Sequence, residues 1–211
     1  MSDDPWGKLC EAYPWPPERP KVTGPHVHRI HGWLSDGTKK MIREHLPSSG
    51  VVIELGTWMG KSAKFILDAA PQVRLVCIDH WLGSAEHRTR QPERDMLPHL
   101  FDLCRHHLWS YRKRVLLLRT EILDGIRGVH GAGLLPGMIY VDGAHDARSV
   151  EDDVRAAGTL FPGATLVGDD WDRVSVRQGV AAAMGHVAGK LAYNKKAWTL
   201  STRCSQTNDC D

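Results

Sequence analysis

Apolar and polar positions along the chain alternate between two rhythms. Short, nearly unbroken apolar runs occur at Val51-Val52-Ile53-Glu54-Leu55, Val73-Arg74-Leu75-Val76-Cys77-Ile78, Val115 to Leu118, Met138 to Val141 and Thr165 to Gly168. Runs of this length, rich in β-branched residues and bounded by turn formers, read as strands buried on both faces. Between them the spacing changes. Ala63, Ile66, Leu67 and Ala70 fall at i, i+3, i+4 and i+7, the apolar stripe of a helix packed on a sheet. A helix carrying Met41, Ile42 and Leu46 starts from Ser35 or Asp36 as its cap. Another carries Val150, Val154 and Ala157 on one face, with Ser149 expected as N-cap and Asp152 and Asp153 in the first turn. Leu191–Tyr193 and Ala197–Leu200 supply two last strands. Strands alternating with helices predict an α/β fold, a doubly wound and mostly parallel sheet with helices on both faces.

Six prolines (Pro5, Pro14, Pro16, Pro17, Pro20 and Pro25) mark the first part of the chain. Residues 1–34 are therefore expected to form an irregular arm, 35–202 the folded domain and 203–211 a polar tail. No internal repeat or low-complexity linker divides the chain. A length of 211 residues is enough to bury the core of one domain. The formal net charge of +2 gives no reason to expect a nucleic-acid or membrane surface. No apolar run is long enough to span a bilayer, and Met1-Ser2-Asp3-Asp4-Pro5 lacks the regions of a signal peptide, so a cytoplasmic location is expected. Five cysteines, one of them (Cys77) inside a predicted buried strand, point to reduced thiols. Cys204 and Cys210 lie in the polar tail, where a disulfide or metal role is open beside the expectation of exposed thiols.

Chemistry concentrates at the ends of the predicted strands. The first runs into Glu54-Leu55-Gly56-Thr57-Trp58-Met59-Gly60-Lys61-Ser62, where glycines permit a tight turn and close approach to a nucleotide-like ligand. The second ends at Asp79, roughly 20 residues beyond the glycine loop, where a ribose-binding carboxylate belongs. Gly56 to Ser62 imitates a phosphate-binding P-loop, but that motif needs four residues between its glycines and this chain has three, Thr57, Trp58 and Met59. Glu54 would also repel a triphosphate at short range.

The fourth and fifth strands end in Val141-Asp142-Gly143-Ala144-His145-Asp146 and Val167-Gly168-Asp169-Asp170-Trp171. In an open α/β sheet ligands bind at the carboxyl ends of the strands, so these groups face one crevice. Carboxylates converging there repel unless protonated or held by a cation, and hard oxygen ligands are what Mg²⁺ takes. Asp169 and Asp170 could equally form a solvated turn or helix cap. His145 sits where a general base could face a hydroxyl, or where a loop histidine could cap the next helix.

The Glu-x-Gly-x-x-x-Gly-x-Ser loop, Asp79, the Ile-Tyr-Val-Asp-Gly-Ala-His-Asp segment and the Val-Gly-Asp-Asp-Trp segment together resemble a class I S-adenosylmethionine-dependent methyltransferase. Within that superfamily the chain is similar to the small bacterial branch containing macrocin-type sugar O-methyltransferases and cephalosporin hydroxylase-like proteins. The resemblance covers roughly residues 45 to 200 and implies a Rossmann-like, seven-stranded sheet. It implies Glu54, Gly56, Thr57, Gly60 and Ser62 against the methionine part of the cofactor, with Asp142 also in contact. It further implies Asp79 on the ribose, Thr120 and Glu121 near the adenine, Asp142, Asp169 and Asp170 as Mg²⁺ ligands, and His145 as the base. A small hydroxylated acceptor follows, without nucleic acid or membrane, and with a homodimer as the expected assembly if any. A metal-free N-methyltransferase, a cofactor-binding subunit of a two-component hydroxylase, and an NTPase or kinase are the alternatives.

Trp58, Trp81 and Trp171 each follow a strand end and are candidates for the pocket wall. Arg88, Arg90 and Arg94 could face an acidic acceptor or form a solvated loop, and His26, His28 and His31 are read as surface or substrate-lid residues. His106-His107 lies on a predicted helix and carries no functional expectation.

Overall fold

In the computed structural model, residues 4–24 and 26–201 are described. The elements run α1 (Pro5–Ala12), α2 (Asp36–His45), β1 (Gly50–Leu55), α3 (Lys61–Ala69), β2 (Val73–Asp79), α4 (Ala85–Thr89), α5 (Glu93–Met96), α6 (Leu100–Leu108) and β3 (Val115–Arg119). They continue through α7 (Ile122–Gly131), β4 (Pro136–Val141), α8 (Ala147–Leu160), β5 (Thr165–Gly168), α9 (Val174–Ala183), β6 (Lys190–Tyr193) and β7 (Trp198–Ser201). The strands form one seven-stranded sheet in the order β3-β2-β1-β4-β5-β7-β6. β1 to β5 are parallel, and β7 pairs antiparallel with both β5 and β6. This is the Rossmann-like arrangement expected from the alternation of runs and stripes.

The unbroken apolar runs have a simple cause. Ile53 and Leu55 of β1, Val76 and Ile78 of β2 and Ile139 and Val141 of β4 pack in one core with residues of α7, α8 and α9. Their neighbours Val52, Leu75, Cys77, Met138 and Tyr140 pack in a second core with residues of α2, α3 and α6. Both faces are covered, so both halves of each pleat must be apolar. Register then fixes the site. Leu55 lies beside Ile78 and Val141, and Val141 beside Gly168, so Gly56, Asp79, Asp142 and Asp169 leave the sheet at one edge.

Two local expectations need correction. Pro5–Ala12 is a helix, not part of an irregular arm. Asp4 caps it by accepting from the Trp6 and Gly7 N–H groups, both at 3.2 Å, and Pro5 occupies the first turn, where its missing N–H costs nothing. In α8 the N-cap is Asp146, which accepts from the Ser149 N–H at 2.9 Å, so Ser149, Asp152 and Asp153 all lie inside the helix. Cys10, Cys77 and Cys104 are free thiols, while Cys204 and Cys210 lie outside the described residues. No helix among the described residues is long and apolar enough to cross a membrane.

Candidate active site

The glycine loop is locked to the sheet from both sides. The Gly56 N–H donates to the Ile78 carbonyl at 2.9 Å, and the Asp142 N–H donates to the Leu55 carbonyl at 2.8 Å. Gly56 has φ +83°, and a Cβ there would stand 2.1 Å from the Asp142 carbonyl oxygen. Only glycine fits. Gly60, at φ +85°, is the N-cap of α3. Asp79 braces the same loop: one carboxylate oxygen accepts from the Thr57 and Trp58 N–H groups (2.9 and 3.0 Å), the other from the Trp81 N–H at 2.6 Å. Beneath the loop, Glu54 is fully buried and accepts from the Thr57 hydroxyl at 2.9 Å, while its second oxygen has no partner. Burial pushes its carboxyl up to about 7 against the pull of the nearby Ser62 and Thr57 hydroxyls.

A cavity of about 1050 Å³ opens over this edge of the sheet. Of the residues singled out in the sequence, Gly56, Thr57, Ser62, Asp79, Glu121, Asp142, His145, Asp169 and Asp170 line it. Glu54, Gly60 and Thr120 stand behind the lining; the Thr120 N–H donates to the Asp79 carbonyl at 3.1 Å.

At the β4–β5 end, Asp142, His145 and Asp170 each bring a ligand atom within 4.8 Å of the others. His145 Nε2 lies 2.8 Å from the Asp170 carboxylate, and Arg173 Nε lies 3.5 Å from its other oxygen. Burial pushes the Asp170 carboxyl up, but the hydrogen bond from His145, with the charge of Arg173, holds it below the ordinary value. Asp142 is pushed well above its ordinary value by burial and by the charges of Asp169 and Asp170, and the Tyr140 hydroxyl donates to it at 3.1 Å. Asp169 also rises through burial, and it accepts from the Thr38 hydroxyl of α2 at 2.6 Å. Asp170 has φ +57°, in the left-handed region. Nothing in the sequence signals that turn.

The tryptophans separate by role. Trp58 lines the cavity. Trp81 is buried in the core, with its ring against Phe101 and its Nε1–H donating to the Trp58 carbonyl at 2.8 Å. Trp171 stacks on Tyr193 and stands outside the lining. Among the arginines after β2, Arg90 lines the cavity and Arg88 and Arg94 do not. His106 and His107 hydrogen-bond the Pro20 and His26 carbonyls at 3.0 and 2.9 Å, so they fasten the arm to α6. Sequence reasoning missed Trp33, His87 and Asp153, which all line the cavity. Asp153 offered a signal, since it follows Val150 at i+3 on the buried face of α8.

A family model described as "Methyltransferase domain" matches residues 53–171, more than half of the chain. The chain belongs to this family, and with the glycine loop and acidic strand ends it is an S-adenosylmethionine-dependent methyltransferase of the class I fold. The cofactor-bound Rv0187 from MTB is similar at 20% identity and TM-score 0.54, covering 83% of this chain and 84% of that one. The apo structure of CalS11, a TDP-rhamnose 3'-O-methyltransferase of calicheamicin biosynthesis, aligns at 15% identity and TM-score 0.55, covering 78% and 77%. An O-methyltransferase from Bacillus cereus, solved with the cofactor product, aligns at 14% and 0.53, covering 82% and 83%. At such identities these structures speak for the fold. No curated protein matches the sequence.

Proposed function

We propose that this protein is an O-methyltransferase acting on a hydroxyl of a small molecule, with His145 as general base. The observation that supports this most is the His145–Asp170 pair at 2.8 Å on the cavity wall. An Asp170 carboxylate at Nε2 favours the tautomer with its proton on that nitrogen and leaves the Nδ1 lone pair free. S-Adenosylmethionine, when bound, supplies an electrophilic methyl group on a sulfonium. The acceptor oxygen forms the new bond to the methyl carbon while the S–C bond breaks with its electron pair going to sulfur, and the hydroxyl proton passes to His145 Nδ1. Asp79, Glu121 and the glycine loop are assigned to the cofactor, with Glu54 as the buried acid beneath it. O-Methyltransferases among the similar structures, one of them acting on a sugar nucleotide, are consistent with a hydroxylated acceptor of natural-product or sugar type.

The carboxylates fit a divalent cation. Asp142 is raised first by burial and then by the charges of Asp169 and Asp170, and Mg²⁺ would relieve the second of these; carboxylate oxygens are the hard donors it takes. By the family resemblance Asp142, Asp169 and Asp170 would hold it, whereas the ligand atoms that converge within 4.8 Å are those of Asp142, His145 and Asp170; a cation there would lower the pKa of an acceptor hydroxyl. A metal-free reaction is the second reading, favoured by Asp170 being already paired with His145 and Arg173.

Calorimetric titration with S-adenosylhomocysteine, and separately with Mg²⁺, tests both on wild type and Asp142→Asn. Cofactor-product binding together with a metal signal lost in the variant is the expected result. Turnover that survives chelation, with cofactor binding intact, would select the metal-free reading. Loss of turnover by roughly 10²–10⁴-fold in His145→Gln, with cofactor affinity unchanged, is expected of the base.

A further inference from the structure

One part of the cavity wall has no role in the chemistry above. His31 and Trp33 from the arm, Trp58 from the glycine loop and His87 from α4 meet there. Trp33 and His87 lie within 11° of parallel with centroids 5.9 Å apart. Trp58 is 4.3 Å from His87 and 6.2 Å from Trp33, and His31 stands edge-on to Trp33 at 5.0 Å. Part of the polar edge of this group is engaged internally. Trp58 Nε1–H donates to His31 Nδ1 at 3.2 Å, and the Ser84 N–H donates to His87 Nδ1 at 3.1 Å. Burial holds both imidazoles below their ordinary value, so both rings are neutral at pH 7. Ring face remains available. Trp33 is 52% exposed although it lines the cavity, an apolar surface left open where a ligand would cover it.

The cavity, at about 1050 Å³, reaches the top of the ~300–1000 Å³ range of single-ligand sites, which leaves room for an acceptor beside the cofactor. Next to His87, Glu86 approaches His145 Nδ1 at 4.0 Å and Arg173 at 3.8 Å. α4 therefore carries the ring wall and the approach to the base on consecutive residues.

We propose that His31, Trp33, Trp58 and His87 form the acceptor subsite, and that the acceptor is a planar hydroxylated aromatic, its ring against Trp33 and its hydroxyl toward His145. A flat ring needs stacking faces, and this wall of four rings offers them. The inference rests on the methyltransferase reading of the same cavity.

The test is calorimetric titration of the protein saturated with S-adenosylhomocysteine, using naphthol in one arm and methyl glucoside in the other. Naphthol is expected to bind and the glucoside not. Trp33→Leu should weaken naphthol by roughly three- to tenfold, Trp33→Phe should restore most of the affinity, and both should bind S-adenosylhomocysteine as wild type does. Trp33 is half exposed, so neither variant threatens folding. Binding of the glucoside without naphthol overturns the proposal. So does a Trp33→Leu protein whose affinity falls for S-adenosylhomocysteine instead, because the rings would then cover the cofactor. Failure of the wild type to bind S-adenosylhomocysteine at all overturns the methyl-transfer reading, and the subsite with it.

Discussion

Single residues at the strand ends carry strain, burial and charge that their neighbours do not. Gly56→Ala places a methyl group against the Asp142 carbonyl at a positive φ, so both the αL cost and the clash apply. A loss of at least ~2 kcal/mol in urea unfolding is expected, together with loss of cofactor binding. Asp153 makes a different case. It is 5% exposed, and burial, with the charges of Asp152 and Asp146, pushes its carboxyl from 3.8 to about 7. The folded protein therefore binds this proton more tightly than the unfolded chain does. Its stability is fully present below the unfolded value of 3.8 and is lost as pH rises to about 7. Asp153→Asn removes this burden. Without ligand, the variant should match wild type near pH 4 and exceed it at pH 8 by up to about 4 kcal/mol, read from chemical unfolding at each pH. Equal stability of the two proteins at pH 8 would show that the carboxyl ionises there at no cost.

Among elements, the ones written by burial were legible, as was the Ser35 cap of α2, while α1 and the cap of α8 were not. Both faces of β1, β2 and β4 are covered, so their runs stand out in the sequence. The acids that follow them reach one edge because parallel register keeps the strand ends level. α1 was obscured because prolines crowd its neighbourhood, although Pro5 sits where a helix tolerates it. In α8 both Asp146 and Ser149 are good cap residues, and only the backbone decides between them. Asp170 was legible as an acid at a strand end, but its left-handed turn and its pairing with His145 depend on contacts formed by distant segments. The aromatic wall was hidden for the same reason: its rings come from the arm, the glycine loop and α4, and sequence spacing does not relate them. α1 is more than decoration, since Trp6 and Leu9 enter the core beside α7 and α8, with Trp6 only 6% exposed. Trp6→Ala should cost ~3–5 kcal/mol in unfolding free energy, a large share of the ~5–15 kcal/mol that holds a domain. A change below about 1 kcal/mol would mean that the helix is docked only loosely.

At the scale of the whole molecule, the cavity is where separate parts of the chain are tied together. Lys61 Nζ holds the Gly32 carbonyl at 2.6 Å, Thr38 holds Asp169, and Glu86 of α4 approaches both His145 and Arg173. A ligand seated there contacts the arm, the glycine loop, α4 and the β4–β5 end at once, so binding should stabilise the global fold instead of one loop. With S-adenosylhomocysteine at a hundred times its Kd, linkage gives about 2.7 kcal/mol. For a chain of this length that corresponds to a rise in Tm of roughly 5–10 °C. ATP is the informative control, because Gly56 to Ser62 imitates a P-loop. The structure gives that loop three residues between its glycines, sets Gly60 as a helix cap and buries Glu54 beneath it. ATP at the same concentration should leave the Tm unchanged with or without Mg²⁺. A shift with ATP that equals the one with S-adenosylhomocysteine would mean the cavity recognises adenosine and no more, and the assignment of Glu54, Ser62 and the glycine loop to the methionine part would fall. A shift confined to S-adenosylhomocysteine would mean that the amino-acid end contributes binding energy, as expected if the glycine loop and Ser62, which line the cavity, hold it.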